Sequence, residues 1–234
     1  MAVRPRLTEM PGPSKSLLGK LDTERCPGEK ADRRIARTRL ALLEAAQRLF
    51  ATRSVDGVSI DDITREAEVA KGSLYNHFDS KEALAEALFG MVRGHVAQLL
   101  DVGIDAQTPP PERLVHGSFL ILRFAIDHPE SAAALIKLSP ALLEDSAPLN
   151  VKAREIIVEG LESGHFKGIP ADSATLLVVG AMLVMLQDSI DRQKSVKRLI
   201  ARIIPLMAGV LKALGVESEA AARAAKSAAR ATLE

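Results

Sequence analysis

The chain has 234 residues, 47% of them apolar, with one cysteine, one tyrosine and no tryptophan. That length holds one large domain or two small ones; the lone Cys26 excludes an intrachain disulfide and fits a reducing cytoplasm, and the lack of β-branched and aromatic runs with period-two alternation leaves an all-α fold. A net charge of +1 gives no hint of a nucleic-acid partner, although a small DNA-binding module inside a larger chain also leaves the total near neutral.

Residues 1–30 mix Pro, Gly, Ser and charge without an apolar period and read as a flexible extension. Arg4 and Arg6 precede no apolar stretch, so no secretory signal is expected. From Met1 to Arg39 the basic residues outnumber the acidic ones ten to five. A solvated tail accounts for that bias; an arm adding phosphate contacts is the sharper reading. The first helix is expected over Ala31–Arg53, with Ile35, Leu42, Ala46, Leu49 and Phe50 as its inner stripe. Arg33, Arg34, Arg37 and Arg39 crowd its first turns, where cations oppose the helix dipole. A nearby DNA backbone and a plain solvated face explain this placement equally well.

The stretch Val58–Leu84, VSIDDITREAEVAKGSLYNHFDSKEAL, carries the strongest local signals. Ser59 is an N-cap whose hydroxyl can accept from first-turn N–H groups, and Asp62 completes a capping box. Val58 and Ile63 occupy the positions of a hydrophobic staple. Ile60, Ile63 and Ala67 fall on one helical face, and Glu68-Val69-Ala70 leaves room only for a helix–helix corner. The next segment, Lys71–Phe78, points Leu74 and Phe78 inward and Lys71, Ser73, Asn76 and His77 outward. Asp79-Ser80 ends it and caps a further helix with the stripe Leu84, Leu88, Met91, His95 and Leu99. This is the plan of a helix-turn-helix, whose second helix enters a DNA major groove.

The same stretch resembles the DNA-binding signature of the TetR (tetracycline-repressor) family. The matching residues are Ile63, Ala67, Val69, the run Lys71-Gly72-Ser73-Leu74-Tyr75, His77-Phe78 and Lys81-Glu82-Ala83-Leu84. With the preceding helix the likeness covers roughly residues 35 to 95. Glu68 stands where the family often has Gly, which reaches positive φ without a Cβ penalty. Ala70 stands where it often has Ser or Thr, and so removes a helix cap, a loss of ~1 kcal/mol. The resemblance implies that Lys71, Gly72 and Ser73 lie nearest base edges and that Tyr75, His77 and Lys81 hold phosphates. Ser59 and Thr64 are expected to do the same from the preceding helix, and Asn76 to share the DNA-facing surface.

Beyond Thr108-Pro109-Pro110-Pro111, which no helix can continue through, helices are expected at 111–127, 129–138, 148–163, 171–191 and 195–214, punctuated by Pro129, Pro140, Pro148, Gly164 to Pro170 and Arg192 to Lys194. Ala174–Leu186, ATLLVVGAMLVML, is apolar on every side and, at thirteen residues, too short to span a bilayer. Such a helix needs cover on all faces, and a second copy of the chain would supply it. Leu199, Ile203, Leu206, Val210 and Leu214 form the matching stripe of the next helix, inside which Pro205 is expected to make a kink. The two helices resemble the pair that forms the four-helix dimer interface of the family, with Leu177, Ala181, Val184, Ile203 and Val210 at the interface. Val158–Ala181 also looks like that family's C-terminal half. The expected organisation is an extension over 1–30, a helix-turn-helix domain over 31–80, a helical effector-binding and dimerisation domain over 81–215, and an Ala-rich helix over 216–234.

Enzymatic signals are absent. GLESG at Gly160–Gly164 has its Ser one place too late for a nucleophile elbow, and no H-E-x-x-H, paired Cys or Gly-rich phosphate loop occurs. Neither metal nor cofactor is expected, and His95 reads as a packed, hydrogen-bonded core residue. The family implies an effector cavity among the helices at 80–102, 111–127, 148–163 and 171–191. Phe119, Leu122, Phe124, Met182 and Met185 could wall it, with His116, Arg123 and Gln187 as polar candidates. For Arg123 and Gln187, a structural carboxylate partner and a solvent-facing helix end are the competing explanations. Two functions follow. One is a cytoplasmic DNA-binding repressor that meets a palindromic operator as a homodimer and is released by a small-molecule effector. The other is an all-α binding or enzymatic domain whose helix-turn-helix is only a packing motif. Neither involves a membrane.

Overall fold

The computed structural model describes residues 30–137, 148–190 and 195–233. Ten helices and no strand occur among them, and every helix outside the short pair of the helix-turn-helix begins and ends within one residue or so of the bounds implied by its Pro, Gly and capping residues. Two compact units divide between Met91 and Val92. The extension expected over residues 1–30 lies, apart from Lys30, outside the described residues.

The first unit holds α1 (Lys30–Thr52), α2 (Ile60–Glu66), α3 (Lys71–Tyr75) and the start of α4 (Lys81–Gly103). Its core is Leu42, Leu43, Ala46, Phe50, Val58, Ile63, Leu74, Phe78, Leu84 and Leu88, all buried. Ile35 departs from the expected stripe and is exposed, since α1 meets α2 and α3 only along its later turns. The capping box forms: the Asp62 N–H donates to Ser59 Oγ at 3.1 Å, and the Ser59 N–H returns to Asp62 Oδ2 at 3.1 Å. Those bonds from Ser59, backbone first and hydroxyl second, with Arg65 and Arg53 adding to them, hold the Asp62 carboxyl below its ordinary pKa. Its contribution is therefore complete at neutral pH and lost as acid protonates the group.

The corner between α2 and α3 is a Schellman turn. The Val69 N–H donates to Thr64 O at 3.0 Å and the Glu68 N–H to Arg65 O at 3.1 Å. That motif needs a left-handed residue, and Glu68 takes it with φ 55°. The turn that Gly usually makes is thus made without Gly, against a steric cost of order 1 kcal/mol. Helix α3 follows with Ala70 as an N-cap that offers no side-chain bond.

Helix α4 buries Leu84 and Leu88 as expected, but then Val92, Val96 and Leu100 in place of Met91, His95 and Leu99. Strict i, i+4 spacing advances about 40° per step on a 3.6-residue helix. The buried face therefore turns along α4, whose two halves serve different cores.

The second unit is arranged around α5 (Pro110–Asp127), which packs against α6 (Pro129–Lys137), α7 (Pro148–Glu162), α8 (Ala171–Ile190), α9 (Val196–Ala213) and α10 (Ser218–Leu233). Leu114, Val115, Phe119, Leu120, Ile121, Leu122, Phe124 and Ala125 are all buried, so the central helix of this unit is α5, which keeps only a narrow stripe with Glu112 and Arg123 in solvent. Helix α8 is only half covered. At 20 residues it is also longer than its apolar stretch alone suggested, so length does not exclude a membrane span. One side nonetheless buries Ala174, Val178, Met182, Met185 and Leu186 in the protein, and Asp188 near its end pairs with Arg202 of α9 at 3.0 Å. Helix α9 runs on through Pro205, and it buries Met207 where Leu206 was expected.

Two glycines permit close approaches here. A Cβ on Gly160 would stand 2.1 Å from the buried Phe166 ring. Gly215 ends α9 at φ 85° beside Lys167, whose N–H donates to Leu214 O at 2.8 Å.

Replacing Glu68 with Gly is expected to stabilise the protein by about 0.5–1 kcal/mol, read as a raised urea midpoint, because the left-handed strain is relieved. Gly160→Ala is expected to destabilise it by about 1–3 kcal/mol in the same assay, since the Phe166 ring must give way in a filled core.

Candidate nucleic-acid interface and effector pocket

The outward surface of α2 and α3 gathers most of the DNA-contact candidates. Ser59, Lys71, Gly72, Tyr75 and Asn76 are exposed, and Ser73, His77 and Lys81 are partly so. Ser59, Tyr75 and Lys81 line one shallow depression, with Asp79, Ser80 and Glu82 on its rim. Thr64 is the exception: it is only 4% exposed, and its hydroxyl donates to Ile60 O at 3.0 Å. A Thr at that place in a helix satisfies itself on the preceding turn, so it offers nothing to a phosphate.

What holds the surface in place is packing below and ion pairs around it. Leu74 and Phe78 are buried, and the His77 and Phe78 N–H groups both donate to Leu74 O at 2.9 Å, closing α3. The Arg39 guanidinium lies 5.1 Å from the Phe78 ring centre, within cation–π range. Arg48 and Glu66 pair at 2.7 Å between α1 and α2. Lys71 Nζ lies 2.8 Å from Asp61 Oδ1, and the Asp61 carboxylate raises the Lys71 pKa. Burial, aided by Arg39, lowers that of His77, so His77 meets a partner as a neutral hydrogen-bonding imidazole at neutral pH.

On α8, Leu176 and Val184 are 67% and 63% exposed and Leu177 is 36% exposed. Ala181 is partly exposed beside them. Ile203 and Val210 of α9 behave differently, at 2% and 5% exposure. They face this chain's own core, so they are not available to a second copy. The outward face of α9 presents Ala201, Pro205 and Gly209 instead.

A cavity lies between the end of α4, α5, α7 and α8. Its apolar walls include Leu100, Ile104, Leu114, Ile121, Ile156 and Met182, and its polar groups are Arg113, Ser118 and Lys152. It is small, with space of about 20 Å³, room for a single water. Arg113 Nη1 and Nη2 donate to Glu159 Oε1 and Oε2 at 2.9 and 2.7 Å, and Nη1 also reaches Ala106 O at 3.3 Å. Lys152 Nζ pairs with Asp101 at 3.0 Å. Of the expected wall residues only Met182 lines this space. Phe119, Leu122 and Met185 fill the core, fully buried. Arg123 is exposed and pairs with Asp127 at 2.7 Å, and Gln187 is exposed on the outer side of α8. His116 and Phe124 lie away from the cavity wall. The Phe124 ring stacks instead on His95 and His128, at 5.8 and 5.3 Å between ring centres.

His95 corrects its expectation in part. It is packed against those rings, but its buried Nε2 has no hydrogen-bond partner, and burial followed by the His128 charge lowers its pKa. Arg113 escaped the sequence reading because it sits in the first turns of α5, where a charged residue reads as surface. The signal that could have found it is its spacing of four from Gly117 and eight from Ile121, which puts it on a buried face.

Comparison with known proteins bears on this geometry directly. Residues 42–88 match the family model described as bacterial regulatory proteins, tetR family. The chain is 40% identical over 86 residues to the HTH-type transcriptional repressor DhaR of Mycobacterium sp. (strain GP1), spanning 34% of this chain and 42% of DhaR. It is 32% identical over 138 residues to the HTH-type transcriptional repressor KstR2 of Mycobacterium tuberculosis, spanning 54% of this chain and 68% of KstR2. The structure of RolR in complex with resorcinol superposes with a TM-score of 0.59 at 25% identity, covering 82% of this chain and 95% of RolR. With a helix-turn-helix inside the family match, a 32% identical relative covered over 68% of its length and a helical second unit that matches in fold, the chain belongs to the tetR family of bacterial regulatory proteins.

Proposed function

We propose that this protein is a ligand-responsive transcriptional repressor that binds a palindromic operator as a homodimer and leaves it when a small-molecule effector enters the cavity of the second unit. The observation that carries this reading is helix α4. It starts at the Ser80 cap directly after the recognition segment, buries Leu84 and Leu88 beside it, and ends with Leu100 in the cavity wall. One continuous helix therefore contributes residues to both units, and a ligand that moves its far end would bias its near end. RolR, solved with resorcinol, supports a small organic molecule as the effector. The competing reading, a binding or enzymatic domain with an idle helix-turn-helix, is disfavoured by membership of a family of regulators. A cytoplasmic location follows from the same role.

Lys71, Gly72 and Ser73 are assigned to base edges, where Gly72 lets the backbone approach closely and a Cβ there would meet nothing within 4 Å. Tyr75, His77, Lys81 and Ser59 are assigned to phosphates, and Asn76 to the same surface. Thr64 is withdrawn. The partner copy is placed on Leu176, Leu177, Ala181 and Val184 of α8 and on the small outward residues of α9. A palindromic operator requires two recognition helices roughly 34–36 Å apart, one turn of duplex.

Titration of the chain against DNA from upstream of its own coding sequence tests the core of this reading; failure to bind at low salt overturns it. Lys81→Ala is expected to weaken binding to all sequences about equally and to lower the salt slope by about one, as loss of a phosphate contact does. A changed sequence preference at unchanged affinity would refute the assignment. Val184→Glu is expected to give a folded monomer in sedimentation, because the exposed residue costs the single chain little but puts an unpaired charge into the interface. Ile203→Glu should unfold the chain instead. A wild-type chain that sediments as monomer at micromolar concentration rules out this dimer.

A further inference from the structure

The cavity has one polar feature that its apolar walls do not require. Arg113 lines the cavity and is 8% exposed, and both of its terminal nitrogens are taken up by a carboxylate of the same chain, Glu159, which lies outside the cavity lining. The carboxylate is the mobile partner. Arg113 is fixed on the central helix α5 and tied also to Ala106 O, whereas the Glu159 side chain is 52% exposed on the outer face of α7. A short rotation takes Glu159 into water. Arg113 has no such route, and a buried guanidinium left without a counter-charge is strongly destabilising.

These facts restrict what can open the cavity. The space now present holds about one water, so an organic occupant must displace something. The apolar walls from α5 and α8 are packed core, and moving them costs contacts. Lys152 is the lining group held mainly by an ion pair, and Glu159, which lies outside the lining, is the group that neutralises the lining residue Arg113. A neutral molecule that pushed Glu159 aside would strand Arg113. A carboxylate that did so would replace one bidentate pair by another of the same geometry, at the positions Glu159 oxygens now occupy, 2.9 and 2.7 Å from Nη1 and Nη2. The tail of such a molecule would meet Leu100, Ile104, Leu114, Ile121 and Met182.

We propose that the effector is a small amphipathic carboxylate, with an apolar tail in the cavity and its carboxylate exchanged for that of Glu159 on Arg113. This rests on the reading of the cavity as the effector site. The exchange also supplies a switch. Glu159 is a link between α5 and α7 and already shares the outer face of α7 with Glu155 and Glu162, so its release leaves its charge beside theirs without the Arg113 counter-charge. Like charges at helical spacing repel, so the liberated face of α7 is under strain that the free protein does not carry.

The test pairs acids with their neutral isosteres. Octanoate and 3-phenylpropanoate are compared with octanamide and 3-phenylpropanamide, by thermal shift and calorimetry on the full chain, and for their effect on DNA binding. The acids should raise the melting temperature and weaken DNA binding, and the amides should do neither. Glu159→Gln removes the internal competitor while keeping an acceptor for Arg113, and should tighten acid binding at least tenfold. Arg113→Met should abolish the preference for acids; if that variant fails to fold, Glu159→Gln decides alone. If amides bind as well as acids, or Glu159→Gln leaves acid affinity unchanged, the carboxylate exchange is wrong while the cavity remains an effector site. If neither series binds, the exchange is overturned and the effector-site reading is weakened with it.

Discussion

A five-residue helix has no stability of its own. Everything the first unit does therefore depends on how α3 is held, and two side chains four residues apart hold it. Leu74 and Phe78 are buried in the core built by Leu42, Ala46, Phe50 and Ile63, and their anchorage leaves the opposite side of α3 free of packing duties. Lys71, Gly72, Tyr75 and Asn76 are exposed because their neighbours are not. The surrounding ion pairs, Arg48 to Glu66 and Lys71 to Asp61, lie in solvent and add little stability. Their role is orientation, while the hydrophobic anchors supply the energy.

The same division between anchor and free face recurs in the second unit at larger scale. Helix α5 is flanked by five neighbours, leaves only a narrow stripe in solvent, and behaves as an axle for the rest. Helix α8 buries one face on it and exposes Leu176, Leu177 and Val184 on the other. An exposed aliphatic stripe on a helix that already has its core contacts is surplus to the fold of one chain. Alanines 221, 224, 225, 228 and 229 let α10 lie close against its neighbours α5 and α9, which completes the cover of α5 without large side chains.

What could be read from sequence was what is encoded locally. The Ser59–Asp62 capping box, the Ser80 cap and the helix ends before Pro and Gly all involve residues within a few positions of one another, and all are present as expected. The outward face of α3 followed from the spacing of Leu74 and Phe78. Thr64 was misjudged because a hydroxyl that bonds the preceding turn has the same sequence signature as one that faces solvent. Hydropathy marked α8 as in need of cover but could not name the covering helix, and α5 proved to be the central one. The cavity was the least legible feature. Arg113 and Glu159 lie 46 residues apart, and no local pattern joins them. The polar residues that did stand out, Arg123 and Gln187, are exposed.

The central place of α5 has a bearing on how proteins of this design diverge. Each side chain that α5 gives to the cavity, such as Leu114, Ser118 or Ile121, is also a packing element for several neighbours, so its replacement disturbs volume on more than one side. Lys152 on α7 carries less of that obligation, since it lines the cavity while its partly exposed side chain pairs with Asp101. Substitutions on α7 can therefore alter the polarity and width of the cavity while the core stays intact. Changes to the cavity would accumulate on that helix first, with α5 inherited almost unaltered.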